Sequence, residues 1–78
     1  MYENDMNEIL SYSLSKDTKN AVKAFFAIKE SYHLDPNPDT TYDLKRKFQT
    51  INEDLKQEKS FGRISAADMN SLIEVMRK

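Results

Sequence analysis

The chain has one histidine, His33, and it lies two residues before Asp35. A carboxylate at that distance can orient an imidazole that acts as a general base. However, the chain has no cysteine, no recognisable serine-nucleophile motif and no glycine-rich phosphate loop. Histidine near the end of a helix also has a simpler role, because its charge interacts favourably with the helix dipole. We therefore expect no enzymatic activity and no catalytic residue.

Oxygen ligands for a hard cation are spaced along the segment from Asp35 to Asp43, with Asp39 between them and Asn37 beside the prolines. The same residues are ordinary in a turn that leads into a helix: Asp and Asn favour turns next to proline, and acids favour the first helical turn. We therefore assign no metal site to this segment.

A second arrangement, Gly62 to Ser65 followed by Asp68, resembles the second half of an EF-hand calcium loop, in which glycine, isoleucine and a final acid recur. If Gly62 takes the sixth loop position, the first, third and fifth positions are Gln57, Lys59 and Phe61. None of these side chains supplies the carboxylate oxygens that calcium needs. The likeness is limited to helix-loop-helix geometry, and we expect no metal ion and no other cofactor.

Gly62 can also be the turn glycine of a helix-turn-helix, in which the last helix would read DNA. The first turn of that helix would present Ala66, Ala67 and Asp68, which offer little to phosphates or base edges. Arg63, just before the helix, can still reach a phosphate. Sequence-specific DNA recognition is therefore not indicated.

Lysines form the pattern that most favours a ligand. On a helix, Lys16, Lys19 and Lys23 fall within a sector of about 60°, beside Phe26. Cations next to an exposed aromatic ring are typical of proteins that bind single-stranded nucleic acid. On the next helix, Lys45, Lys56 and Lys59 share a sector of about 80° with Gln49 and Asn52. The candidate contacts are Lys16, Lys19, Lys23, Lys45, Lys56, Lys59 and Arg63, with Phe26 as the candidate exposed aromatic. The simpler alternative is a helix surface charged for solubility.

A protein partner is the other possibility. Eight aromatic residues and four methionines in 78 residues can provide an adaptable apolar surface. The alternative is that Met6, Met69 and Met76 fill a small core.

These residues must be positioned by helices, because apolar residues recur at helical spacing and no alternating β pattern or hairpin turn is present. We predict an all-α fold, a single domain of three to four helices packed on one core. The approximate helix ranges are 4–14, 16–33, 41–60 and 65–77, with a proline-containing loop over 34–39.

Local signals set these boundaries. Ser15 is a candidate N-cap, and the third helix is predicted to start at a capping-box pair of Thr40 and Asp43. Gly62 ends that helix in the left-handed conformation, and Ser65 caps the last one. The predicted core consists of Ile9, Leu10, Val22, Phe25, Ile28, Phe48, Ile51, Leu55, Phe61, Ile64, Leu72 and Ile73.

Composition limits the function further. The net charge of −1 gives no bulk attraction to nucleic acid or to anionic membranes. No apolar run is long enough to span a bilayer, and the acidic N-terminal residues do not resemble a signal peptide, so we expect a cytoplasmic protein without membrane contact. Lysine and asparagine together supply fifteen residues, a usage that suits an AT-rich source such as a phage or plasmid.

The leading interpretation is therefore a small non-enzymatic accessory or regulatory protein that binds another protein, or a second copy of itself as a homodimer. We expect no small-molecule substrate. The runner-up is a weak, sequence-independent accessory protein that binds single-stranded DNA or RNA through the lysine stripes.

Overall fold

The computed structural model describes residues 2–78, and its helices are α1 (Glu3–Leu10), α2 (Lys16–Leu34), α3 (Pro38–Ser60) and α4 (Ala66–Arg77). This confirms the predicted all-α class, since no strand occurs in this part of the chain. Each helix packs against its neighbours in the ring α1–α2–α3–α4–α1. The longest interface is between α2 and α3, which form a hairpin.

The core lies where the four apolar faces meet. Its buried members are Ile9, Leu14, Val22, Phe25, Phe26, Ile51, Leu55, Ile64, Leu72, Val75 and Met76. Four residues predicted for the core are only half-buried: Leu10, Ile28, Phe48 and Ile73. Leu14, Phe26 and Val75 are buried but were not in the predicted core. Met76 is buried in the core, with Met6 and Met69 packed against it, as one interpretation of the methionines predicted.

The first helix is shorter than the predicted 4–14. It ends at Leu10, where the Ser11 hydroxyl donates to the carbonyl of Glu8 at 2.6 Å and competes with continuation of the helix. Leu14 is still buried, but from the link that leads to α2. The predicted cap of α2 is confirmed, because the Ser15 hydroxyl accepts from the N–H of Thr18 at 3.3 Å.

The third helix begins three residues earlier than predicted. The capping box pairs Asn37 with Thr40, and the expected pair of Thr40 with Asp43 was wrong. The N–H of Thr40 donates to the Asn37 side chain at 2.9 Å, and the N–H of Asn37 donates to the Thr40 hydroxyl at 3.1 Å. Pro38 occupies the first helical position, where its missing N–H costs nothing. A proline taken as a loop residue therefore starts the helix.

The joint between α3 and α4 follows the local rules. Gly62 has φ +77°, its N–H donates to Lys59, and the N–H of Arg63 donates to the carbonyl of Glu58. These two bonds form a Schellman motif. The predicted capping box of Ser65 with Asp68 is confirmed.

One core prediction at this joint was wrong. Phe61 is 71% exposed, because it is the last residue before the left-handed turn and its ring projects outward. The Arg63 guanidinium lies 5.0 Å from the centre of that ring.

Candidate functional site

The hairpin of α2 and α3 is longer than the helices that cover it. At 1.5 Å per residue, the 23 residues of α3 extend about 34 Å, whereas the 12 residues of α4 extend about 18 Å. Since α4 begins near the end of α3 and runs back along it, it cannot reach the first turns of α3. This leaves a groove between the last turns of α2, the first half of α3 and the end of α4.

The groove has a volume of about 490 Å³. Its lining comprises Tyr2, Phe25, Lys29, Tyr32, His33, Leu44, Lys45, Phe48, Gln49, Met76, Arg77 and Lys78. Aromatic rings and aliphatic side chains form most of the lining. Its charged or basic side chains are Lys29, His33, Lys45, Arg77 and Lys78. No aspartate or glutamate lines it among residues 2–78. Such a surface matches an apolar ligand with negative charges along its edges.

Lys29 is the most buried of these cations, at 7% exposure. Its ammonium donates to the carbonyl of Met76 at 2.7 Å, near the end of α4, where the helix dipole favours positive charge. It also lies 4.9 Å from the centre of the Tyr2 ring. Burial lowers the pKa of Lys29, and Asp5 partly opposes this shift. Lys29 is not among the contact residues predicted from the lysine pattern.

His33 lies on the rim of the groove, with its ring 6.4 Å from that of Tyr2 in an edge-on arrangement. Asp35 does not hydrogen-bond to it, and its carboxylate is instead 3.5 Å from the Asn37 amide. The described lining contains no serine, threonine, aspartate or glutamate side chain beside this imidazole. His33 is thus placed where a ligand in the groove would contact its ring.

Two of the predicted lysine contacts line separate pockets. Lys45 lines the groove, whereas Lys23 lines a different surface pocket between α1 and α2 together with Glu3 and Glu30. Lys56 pairs with Glu53 at 3.6 Å, and Arg63 pairs with Glu58 at 3.0 Å. The others, Lys16, Lys19 and Lys59, are exposed or half-buried on the surface.

The predicted exposed aromatic was wrong. Phe26 is 3% exposed, because it packs between Tyr2 and Phe25 with ring centres 6.1 and 5.2 Å away. A base cannot stack on a ring that α1 covers. The lysine stripe of α2 therefore lacks the aromatic platform on which the nucleic-acid interpretation depended.

A second buried charge that was not predicted, the carboxylate of Glu58, connects the start of α2 with the end of α3. Glu58 accepts from the N–H of Ser15 at 3.1 Å and from the Thr18 hydroxyl at 2.8 Å, while Arg63 donates to its other oxygen at 3.0 Å. Burial alone would raise the pKa of Glu58, but these hydrogen bonds outweigh it and lower the pKa to about 2. Glu58 therefore has a structural role: it completes the N-terminal cap of α2.

Comparisons with protein-family models, curated proteins and solved structures find no match for this chain. Within residues 2–78, no group of three or more acidic, histidine or cysteine side chains is placed to hold a metal ion. None of the described helices combines the length and the hydropathy needed to cross a bilayer.

Proposed function

We propose that this chain is a small non-enzymatic accessory or regulatory protein that binds another protein through the α2–α3–α4 groove. The observation that carries the proposal is the combination of an apolar lining with cations and, among residues 2–78, no aspartate or glutamate side chain. The protein as a whole has a net charge of −1, so the cations of the groove are a local feature. We propose that the protein acts in the cytoplasm, because a chain without cysteine needs no disulfide and is therefore compatible with a reducing compartment.

The occupant we propose is an amphipathic helix with acidic residues beside its apolar face. Helices bind in hydrophobic grooves through apolar anchors spaced three or four residues apart. Here Leu44 and Phe48 are four residues apart on α3, and both are half-buried, so each retains surface for a partner. Lys45 on α3 can pair with an acid on the incoming helix, whereas Arg77 on α4 already lies 3.4 Å from the Glu74 carboxylate.

A second copy of the chain is a less suitable occupant. Its own acidic helix, α1, carries Glu3, Asp5 and Glu8, but the apolar face of α1 is already used within the fold. Ile9 is buried in the core and Met6 packs against it. Docking α1 into another molecule would require withdrawing these side chains. We therefore propose a different protein as the partner, and a concentration-dependent dimer in sedimentation would contradict this choice.

The proposal is tested first by photo-crosslinking. A benzoylphenylalanine at Tyr32 places the reactive group on the rim of the groove, and the matched control carries it at Asn20, an exposed position on the same helix. The expected result is a cross-link, specific to position 32, to a segment with an acidic amphipathic pattern. A cross-linked segment without that pattern would contradict the proposed occupant.

The second test uses a synthetic peptide of the cross-linked segment. Leu44→Glu places a carboxylate inside the groove and should weaken binding at least tenfold, since it costs apolar contact and repels the acids of the peptide. Leu34→Glu is the matched control, because Leu34 is 76% exposed and does not line the groove. Equal loss in both variants, or in neither, would refute the groove as the binding face.

The nucleic-acid interpretation remains a prediction with its own test. It requires binding of an oligothymidine that weakens steeply with salt and is lost when Lys16, Lys19 and Lys23 are replaced by glutamate. If these replacements leave oligothymidine binding unchanged, the lysine stripe of α2 has no such role.

A further inference from the structure

Lys29 is a buried cation on the wall of the groove, and residues 2–78 use only part of its hydrogen-bonding capacity. An ammonium has three N–H donors, and in Lys29 one of them is used by the carbonyl of Met76 at 2.7 Å. Its other close neighbours are aromatic: the centres of the Tyr2, Phe25 and Phe26 rings lie 4.9, 5.9 and 5.9 Å from Nζ. Aromatic faces attract a cation but do not replace a carboxylate.

No ion pair to Lys29 forms among residues 2–78, although Asp5 is near enough to affect its electrostatics. This distinguishes it from the other buried charge, Glu58, which is paired with Arg63 and receives two further hydrogen bonds. A buried charge is ordinarily paired, because removing it from water is costly. Lys29 thus lies beside an open apolar groove with part of that cost uncompensated.

We propose that Lys29 is the anion-recognition point of the groove, and that it receives one carboxylate from the apolar face of the partner helix. This inference rests on the proposed function and makes it more specific: the partner carries a glutamate or aspartate within its apolar face, in addition to the acids beside it. Lys45 and Lys78 are exposed and contribute long-range attraction, and Arg77 is already paired with Glu74, whereas Lys29 forms a desolvated pair with the partner.

The minimal chemistry that Lys29 would recognise is a carboxylate on an apolar stem. Decanoate and decanamide provide a matched pair of probes, since they share the chain and differ in the charge of the head group. We expect the wild-type protein to bind decanoate at least about tenfold more tightly than decanamide, because a charge-assisted hydrogen bond to a desolvated ammonium is among the stronger polar contacts. Calorimetry below the micelle concentration, with the nuclear magnetic resonance shift of the Lys29 side chain, measures this directly.

Lys29→Met removes the ammonium while retaining an unbranched side chain of similar length. It should abolish the preference for decanoate and leave decanamide binding in place. Lys23→Met is the control, because Lys23 is on the same helix but outside the groove, and it should retain the full preference.

Four outcomes decide the inference. A decanoate preference that disappears only in Lys29→Met supports it. Equal binding of both probes to the wild type overturns it, and so does a preference that survives in Lys29→Met. If Lys29→Met does not fold, the wild-type protein decides the inference. A preference for decanoate with a shift of the Lys29 side-chain resonance supports it, and a preference without that shift overturns it. The proposed function is judged separately by the peptide and Leu44→Glu, so an acidic peptide that binds while decanoate shows no preference refutes only the role of Lys29.

Discussion

Glu58→Gln is the substitution whose consequences follow most directly from the structure. The carboxylate is 3% exposed and accepts hydrogen bonds from Ser15, Thr18 and Arg63. Glutamine preserves the shape, but its amide presents N–H groups where an acceptor is needed and leaves the Arg63 guanidinium without its carboxylate. Breaking such a buried network costs about 3 kcal/mol. That is a large share of the roughly 5–15 kcal/mol that holds a small domain folded.

The same hydrogen bonds make the contribution of Glu58 to stability depend on pH, with a similar magnitude. The pKa of Glu58 is about 2 in the folded protein, against an ordinary value of 4.5, so between these values the folded state binds fewer protons than the unfolded state. The contribution of Glu58 is therefore complete above pH 4.5 and is lost as the pH falls towards 2. The difference corresponds to about 3 kcal/mol, of which about 2 kcal/mol should be lost by pH 3.

Urea unfolding of the wild type and Glu58→Gln at pH 6 and pH 3 measures both quantities. The difference in unfolding free energy should be about 3 kcal/mol at pH 6 and about 1 kcal/mol at pH 3. Glu53→Gln is the matched control on the same helix, because its ion pair with Lys56 is exposed and should contribute less than about 0.5 kcal/mol. A difference between wild type and Glu58→Gln that is the same at both pH values would refute the reasoning.

Three other substitutions are expected to change the unfolding free energy. Gly62→Ala should lower it by about 1 kcal/mol, because φ is +77° and the cost is backbone conformation alone, with no atom within 4 Å of an added Cβ; a neutral result would contradict the assigned conformation. Asp54→Asn should raise the unfolding free energy by up to about 1 kcal/mol at pH 7 and should have no such effect at low pH. The reason is that burial and repulsion from Glu58 raise the pKa of Asp54 and disfavour its charged form. Destabilisation at pH 7 would refute this. Phe26→Ala should lower the unfolding free energy by about 3 kcal/mol, whereas Phe61→Ala should change it by less than about 0.5 kcal/mol. If thermal melts gave the reverse order, Phe61 would be the core residue and Phe26 the exposed one.

The sequence correctly predicted the helix ends that are determined by residues close to one another in the chain. Ser15, Gly62 and Ser65 act within one or two turns of their own positions, and the structure has each in its predicted role. Asn37 and Pro38 are equally local, and the start of α3 was missed because proline was treated only as a helix breaker. Proline also begins helices when an N-cap residue precedes it.

The two buried charges carried a signal that was not used. Lys29 follows Val22, Phe25 and Phe26 at the spacing of a single helical face, and Glu58 follows Ile51 and Leu55 in the same way. A charge at a core position predicts a specific partner. The sequence could not show which residues hydrogen-bond to these two charges, because the bonded residues are far apart in the chain. Ser15 is 43 residues from Glu58, and Met76 is 47 residues from Lys29.

The groove could not be predicted from local patterns either. It arises from the difference in length between α4 and the hairpin it covers, and from the positions of three helix ends in space. Lys45 was assigned to a stripe with Lys56 and Lys59, but its neighbours in the fold include Tyr32 and His33 from α2. Periodicity gives the face of one helix, whereas a binding surface requires the arrangement of several.

The most direct test of the central claim is a nuclear magnetic resonance titration of the labelled protein with the peptide identified by cross-linking at Tyr32. Shift changes concentrated at Leu44, Phe48 and Met76, and weakened by salt, are the predicted result. Changes concentrated at the exposed Phe61 or along α1, with the groove unaffected, would contradict the assignment of the binding face.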